Sequence, residues 1–141
     1  MKNTEIALRN FIAIMRTKDS IEKVVKEDVK KYGLNLTEFA VLELLYSKGE
    51  QPIQQIADKI LIASSSTTYV VDKLVAKNLV DRQVSPNDRR VYYAKLTAHG
   101  QKLMDEIFPK HTLTIQKIFS TLDQQEMKQL QRLLLKVNQA N

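Results

Sequence analysis

Apolar positions along the chain change period several times, and each change marks an element. From residue 4 to 32, Ile6, Phe11, Ile12, Met15, Ile21, Val24, Val25, Val29 and Tyr32 recur at helical spacing. Gly33 follows where a left-handed C-terminal cap is wanted. Asn35-Leu36-Thr37-Glu38 reads as a capping box, with Asn35 or Thr37 as the cap. It predicts a second helix to about Lys48, carrying Phe39, Val41, Leu42, Leu44, Leu45 and Tyr46 and ended by Gly49. Pro52 opens a short third helix, where its missing N–H goes unneeded. Ile53, Ile56, Ala57 and Ile60 form its inner face, with Ala57 as a close-packing site. A fourth helix begins near Ala63-Ser64-Ser65 and runs to Lys77, and Asn78 at its C′ position can take positive φ.

Residues 79–84 and 90–96 then alternate like strands around the turn cluster Ser85-Pro86-Asn87-Asp88-Arg89, which predicts a hairpin with a basic tip. Thr97 caps a fifth helix to about residue 119, with Leu103, Ile107, Phe108, Ile115, Ile118 and Phe119 as its stripe and a kink expected at Pro109. Asp123-Gln124-Gln125-Glu126 caps the last helix, whose stripe is Met127, Leu130, Leu133, Leu134 and Val137. The fold class is therefore mainly α with a small β-hairpin. A short third helix, a short turn, a fourth helix and then a hairpin make a helix-turn-helix followed by a wing.

The two faces of the fourth helix carry different chemistry. Thr67, Val70, Val71 and Leu74 point one way, whereas Ser65, Ser66, Tyr69, Asp72, Lys73 and Ala76 point the other way or flank it. Small hydroxyls at a helix N-terminus suit close approach to phosphates and base edges. A Ser/Thr-rich start also fits a plain cap on a solvated helix; the basic hairpin at the right distance separates the two. A carboxylate such as Asp72 on a DNA-facing helix repels phosphate unless a cation holds it, and Arg89 or Arg90 is the expected partner. Adjacent arginines at a hairpin tip suit a narrow minor groove, although one of them can instead brace the loop against Asp88.

Composition narrows the function. The 141 residues carry 22 basic and 16 acidic side chains, a net charge of +6. Residues 51–100 are the most basic third and contain no glutamate. There are no cysteines, so no disulfide framework forms, and no apolar run is long enough to span a membrane. The start Met1-Lys2-Asn3-Thr4-Glu5 has an early acid and no apolar h-region, so no secretory signal is expected and the cytoplasm is the expected location. The two histidines, His99 and His111, stand twelve apart without metal-ligand spacing, and His99 reads as a surface or wing-packing residue. No glycine-rich phosphate loop or catalytic triad is present. No enzyme, metal or cofactor is expected. The competing reading is a winged-helix protein-interaction module without DNA readout, which the arginines of the wing argue against.

Asp88-Arg89-Arg90 followed by Leu96-Thr97-Ala98-His99-Gly100 resembles the wing and exit of the multiple antibiotic resistance regulator (MarR) family of bacterial winged-helix transcription factors. Leu36-Thr37-Glu38-Phe39-Ala40-Val41-Leu42, Gln55-Ile56-Ala57-Asp58-Lys59 and Val71-Asp72-Lys73-Leu74 match the family's other segments in register, so the resemblance covers essentially the whole chain. It implies a single domain over 1–141. Within it, 35–98 is the DNA-binding lobe, and 1–34 and 99–141 are dimerisation helices. It also implies a homodimeric regulator, usually a repressor, on a pseudo-palindromic operator at the bacterial nucleoid. Ser65, Ser66, Thr68, Tyr69 and Lys73 would face DNA, and Arg90 would be the wing arginine. With Ser64 and Arg89 these are the candidate DNA contacts, and Asp72 and Asp88 the candidate braces.

Many members have glycine where this chain has Leu61 and Asn78, and leucine does not easily take positive φ. The family commonly answers to small aromatic or phenolic compounds, or to thiol oxidation; the absence of cysteine removes the second route here. Phe11, Met15, Phe39, Phe108 and His111 are candidate effector contacts by position, where the first and second helices meet the fifth. The same residues fit the ordinary core signal. The dimer also follows from the residues: the terminal helices carry more apolar surface than a ~60-residue lobe covers.

Overall fold

A computed structural model describes residues 2–60 and 66–139. The elements are α1 (Asn3–Lys30), α2 (Leu36–Lys48), β1 (Gln51–Pro52), α3 (Ile53–Lys59), α4 (Thr67–Ala76), β2 (Val80–Val84), β3 (Tyr92–Leu96), α5 (Ala98–Ile118) and α6 (Gln124–Gln139). No helix among the described residues is long and apolar enough to cross a membrane.

The caps act as the sequence predicts. Asn35 is the cap of α2: its side chain accepts the Glu38 N–H at 2.8 Å, and Glu38 Oε1 accepts the Asn35 N–H at 2.9 Å. Asn78 turns left-handed at φ 61. The Leu79 N–H reaches Leu74 O and the Asn78 N–H reaches Val75 O, a Schellman closure of α4. Thr97 caps α5 through the Gly100 N–H, and the helix continues unbroken past Pro109.

Two features differ from expectation. The hairpin β2–β3 is extended by β1, which pairs antiparallel with β3 (Gln51 with Ala94, Pro52 with Tyr93), giving sheet order β1-β3-β2. Two residues are too few to show alternation in the sequence, and Pro52 is tolerated because β1 is an edge strand. Ala57 is exposed, so the inner face is Ile53 and Ile56 of α3, with Ile60 at its C-cap half-buried against the core.

The core lies where α2, α4, the sheet and the first half of α5 meet, around Val41, Leu42, Ile56, Val71, Leu74, Val80, Ala94, Met104 and Ile107. Each large side chain buried there contributes roughly 1.5–3 kcal/mol. The chain ends are different. In α1 only Val25 and Val29 are buried, and α6 buries no residue. Leu8, Phe11, Ile12, Ile14 and Met15 of α1 and Leu133, Leu134, Leu135 and Val137 of α6 are exposed.

Candidate nucleic-acid interface

The fourth helix divides as its sequence implies. Val70, Val71 and Leu74 are buried, while Ser66, Thr68, Tyr69, Asp72, Lys73 and Ala76 are exposed. Ser66 occupies the N-cap position with no side-chain cap hydrogen bond. Ser64 and Ser65, together with Leu61 and the turn it belongs to, lie outside the described residues. Lys73 Nζ sits 5.3 Å from the centroid of the Tyr69 ring, one turn away on the same face. This cation–π contact restrains two long side chains that would otherwise sample separate rotamers.

At the wing tip, the Ser85 N–H donates to Val91 O at 2.8 Å and the Val91 N–H to Asp88 O at 3.0 Å. Asp88 then grips Arg90. Its Oδ1 accepts the Arg90 backbone N–H at 3.0 Å and Nε at 3.1 Å, and its Oδ2 accepts Nη2 at 3.3 Å. The Arg90 side-chain hydrogen bonds, and secondarily its backbone N–H, hold the Asp88 carboxyl below the usual carboxylate range. The Arg90 side chain remains 90% exposed, so the fork is fixed in direction without being withdrawn from a ligand. Arg89 is exposed and has no ion-pair partner among the described residues. Gln54 of α3 donates to Arg90 O at 3.3 Å and ties the helix-turn-helix to the wing.

Asp72 pairs with Arg82, not with Arg89 or Arg90. The geometry explains the correction: Arg89 and Arg90 sit at the tip, whereas Arg82 lies on β2, near the junction with α4. Arg82 opposes Ala94 in the sheet, and it shares the helix-facing side with Val80 by alternation. An arginine in phase with an inward valine was the signal available in the sequence. The pair neutralises the one carboxylate on the exposed face of α4 and braces α4 against the wing.

A second cluster forms between α2 and α5. The Phe39 and His111 rings are 4.7 Å apart, Phe108 and His111 6.0 Å, and Tyr46 and Phe108 5.3 Å. His111 Nε2 lies 3.3 Å from Glu43 Oε2. The Tyr46 hydroxyl donates to Asp105 Oδ1 at 2.8 Å. That hydrogen bond, with burial and the Asp105 charge behind it, raises the Tyr46 phenol above its ordinary value. An open cleft of about 320 Å³ runs along this seam, lined by Glu43, Ser47, Phe108, His111, Thr112 and Ile115 among others. Phe39, Phe108 and His111 are thus brought together, whereas Phe11 and Met15 lie on the exposed face of α1 and do not line the cleft. His99 is exposed. Among the described residues no group of three or more His, Asp or Glu side chains is placed to hold a metal ion.

The MarR family model matches residues 34–92. The chain is similar to the HTH-type transcriptional regulator MhqR of Bacillus subtilis strain 168, with 49% identity over 95% of this chain and 92% of the relative. Among solved structures it resembles a mutant MarR from E. coli complexed with operator DNA, at TM-score 0.79 and 20% identity over 97% of this chain and 99% of the other. It also resembles Bordetella bronchiseptica BpsR, from a study of how 6-hydroxynicotinic acid regulates that protein's DNA binding. There the TM-score is 0.81 and the identity 22%, over 92% of this chain and 98% of the other.

Proposed function

The chain belongs to the MarR family of DNA-binding transcriptional regulators, and from that premise we propose that it acts as a homodimeric repressor on a pseudo-palindromic operator. Residues 35–98 form the DNA-reading lobe, and 1–34 with 99–141 form the dimerisation helices. Tyr69 and Lys73, with Ser66, Thr68 and the preceding Ser64 and Ser65, enter the major groove. Arg89 and Arg90 enter the flanking minor groove. The carrying observation is the Asp72–Arg82 pair, which leaves α4 and the wing joined with their cations outward. The exposed apolar side chains of α1 and α6, Phe11 and Met15 included, support the two-fold contact. That contact sets the two lobes about one helical turn apart, ~34 Å.

The effector in this reading is a small aromatic molecule in the α2–α5 cleft, against Phe108 and His111 with Phe39 behind them. Its action is a population shift: the ligand prefers a lobe spacing that misfits the operator. Selection from a random duplex pool tests the function as a whole. A DNA-reading dimer returns an inverted repeat with half-sites one turn apart, and Arg90→Ala and Lys73→Ala weaken binding to it. A pool with no enriched sequence supports the interaction-module alternative.

A further inference from the structure

The polar contact that anchors the far end of α4 belongs to neither the DNA face nor the effector cleft. Lys77, the C-cap residue of α4, donates through Nζ to Glu38 Oε2 at 2.7 Å and to Gly33 O at 3.0 Å. Glu38 is only 3% exposed, and its other oxygen is already committed to the Asn35 N–H. One ammonium therefore joins the C-terminal end of α1, the N-terminal turn of α2 and the C-terminal end of α4.

We propose that Glu38 and Lys77 are positioning residues for DNA binding: they fix the tilt of α4 against the rest of the lobe without touching DNA. This rests on α4 being the DNA-reading helix. The buried face of α4 is held by Val70, Val71 and Leu74, and such apolar contact is non-directional. A charge-assisted hydrogen bond to a buried carboxylate is directional, and leaving that carboxylate unpaired is strongly unfavourable. Its leverage is geometric. Ten residues span about 15 Å, so a 10° tilt pivoting at Lys77 displaces the Ser66–Thr68 end by roughly 2.5 Å, beyond hydrogen-bond tolerance. Phe39, the next residue after Glu38, packs its ring at a tilt against His111, so the pin stands one residue from the α2–α5 seam.

Lys77→Met keeps the methylene stem and removes both bonds. Glu38→Gln keeps an oxygen for the Asn35 N–H and removes the carboxylate opposite the ammonium. Each is expected to reduce affinity for the selected duplex by roughly two- to thirty-fold, with the double variant no weaker than the weaker single one and Lys77→Arg recovering most of the loss. The slope of log K against log salt is expected to stay at the wild-type value, since no phosphate contact is lost. A slope reduced by about two contacts in Lys77→Met, one per protomer, makes Lys77 a direct phosphate ligand and overturns the proposal. So does unchanged affinity in folded Lys77→Met; because that variant leaves the buried Glu38 carboxylate unpaired, the Lys77→Met/Glu38→Gln double variant, which removes the charge as well, repeats the measurement with that cost relieved. Failure of the wild type itself to select a duplex refutes the DNA reading instead.

Discussion

Gly100→Ala separates two opposed physical expectations. Gly100 lies in the first turn of α5, where alanine normally gains about 1 kcal/mol of helix propensity over glycine. Here a Cβ at residue 100 would meet Leu79 O at 2.1 Å and Leu79 C at 3.0 Å. Both are backbone atoms, so no side-chain rotamer relieves the clash, and the two backbones must part by about 0.9 Å to bring the first contact from 2.1 to 3.0 Å. Leu79 O is also the acceptor for the Thr97 N–H at 3.1 Å, and a shift of that size breaks the bond. Losing it removes about 1 kcal/mol; the strain of forcing the helix off the strand adds ~1–3 kcal/mol. Set against the propensity gain, the net loss is roughly 1–3 kcal/mol. Urea unfolding at fixed protomer concentration reads this as a lowered midpoint at unchanged slope. Gly100→Ala as stable as the wild type, or more so, refutes the close approach of α5 to the α4–β2 junction.

Three further outcomes are expected. Arg82→Ala leaves the Asp72 carboxylate uncompensated on the exposed face of α4, the face proposed to read DNA, and is expected to weaken duplex binding, with Asp72→Asn restoring part of the loss; strictly additive effects in that cycle mean that the pair does not function as one. The Asp88 carboxyl titrates below the ordinary ~3.9 and returns toward it in Arg90→Ala, as followed by NMR. Because the folded value is depressed, the wing brace is intact above the ordinary carboxylate range and is lost as pH falls through the lower folded value, and Asp88→Asn removes that pH dependence. Phe11→Asp on the exposed face of α1 shifts sedimentation from dimer toward monomer; an unchanged dimer places the two-fold contact elsewhere.

Much of the architecture was legible because caps and periodicity agree. Asn35 with Glu38, Thr97 and Asn78 each mark a helix end by their own chemistry, and the split faces of α4 follow from helical spacing alone. What escaped depends on contacts between distant residues. The strand at Gln51–Pro52 exists only because β3 offers it a partner. The Asp72–Arg82 pair required knowing which residue of β2 lies beside α4. Lys77 stands in the sequence only as the last residue of the fourth helix, and nothing local ties it to Glu38, thirty-nine positions away. Phe11 and Met15 share the spacing of core residues because helical periodicity marks a face, without saying whether the same chain or a second copy covers it.

The most direct test of the central claim is the salt dependence of binding to the selected duplex. Lys73, Arg89 and Arg90 from two protomers predict a slope of log K against log salt of about −5, reduced by roughly two when Arg89→Ala removes one contact per protomer. An affinity independent of salt, or a slope untouched by loss of these cations, contradicts the assignment of α4 and the wing as the DNA-reading surface.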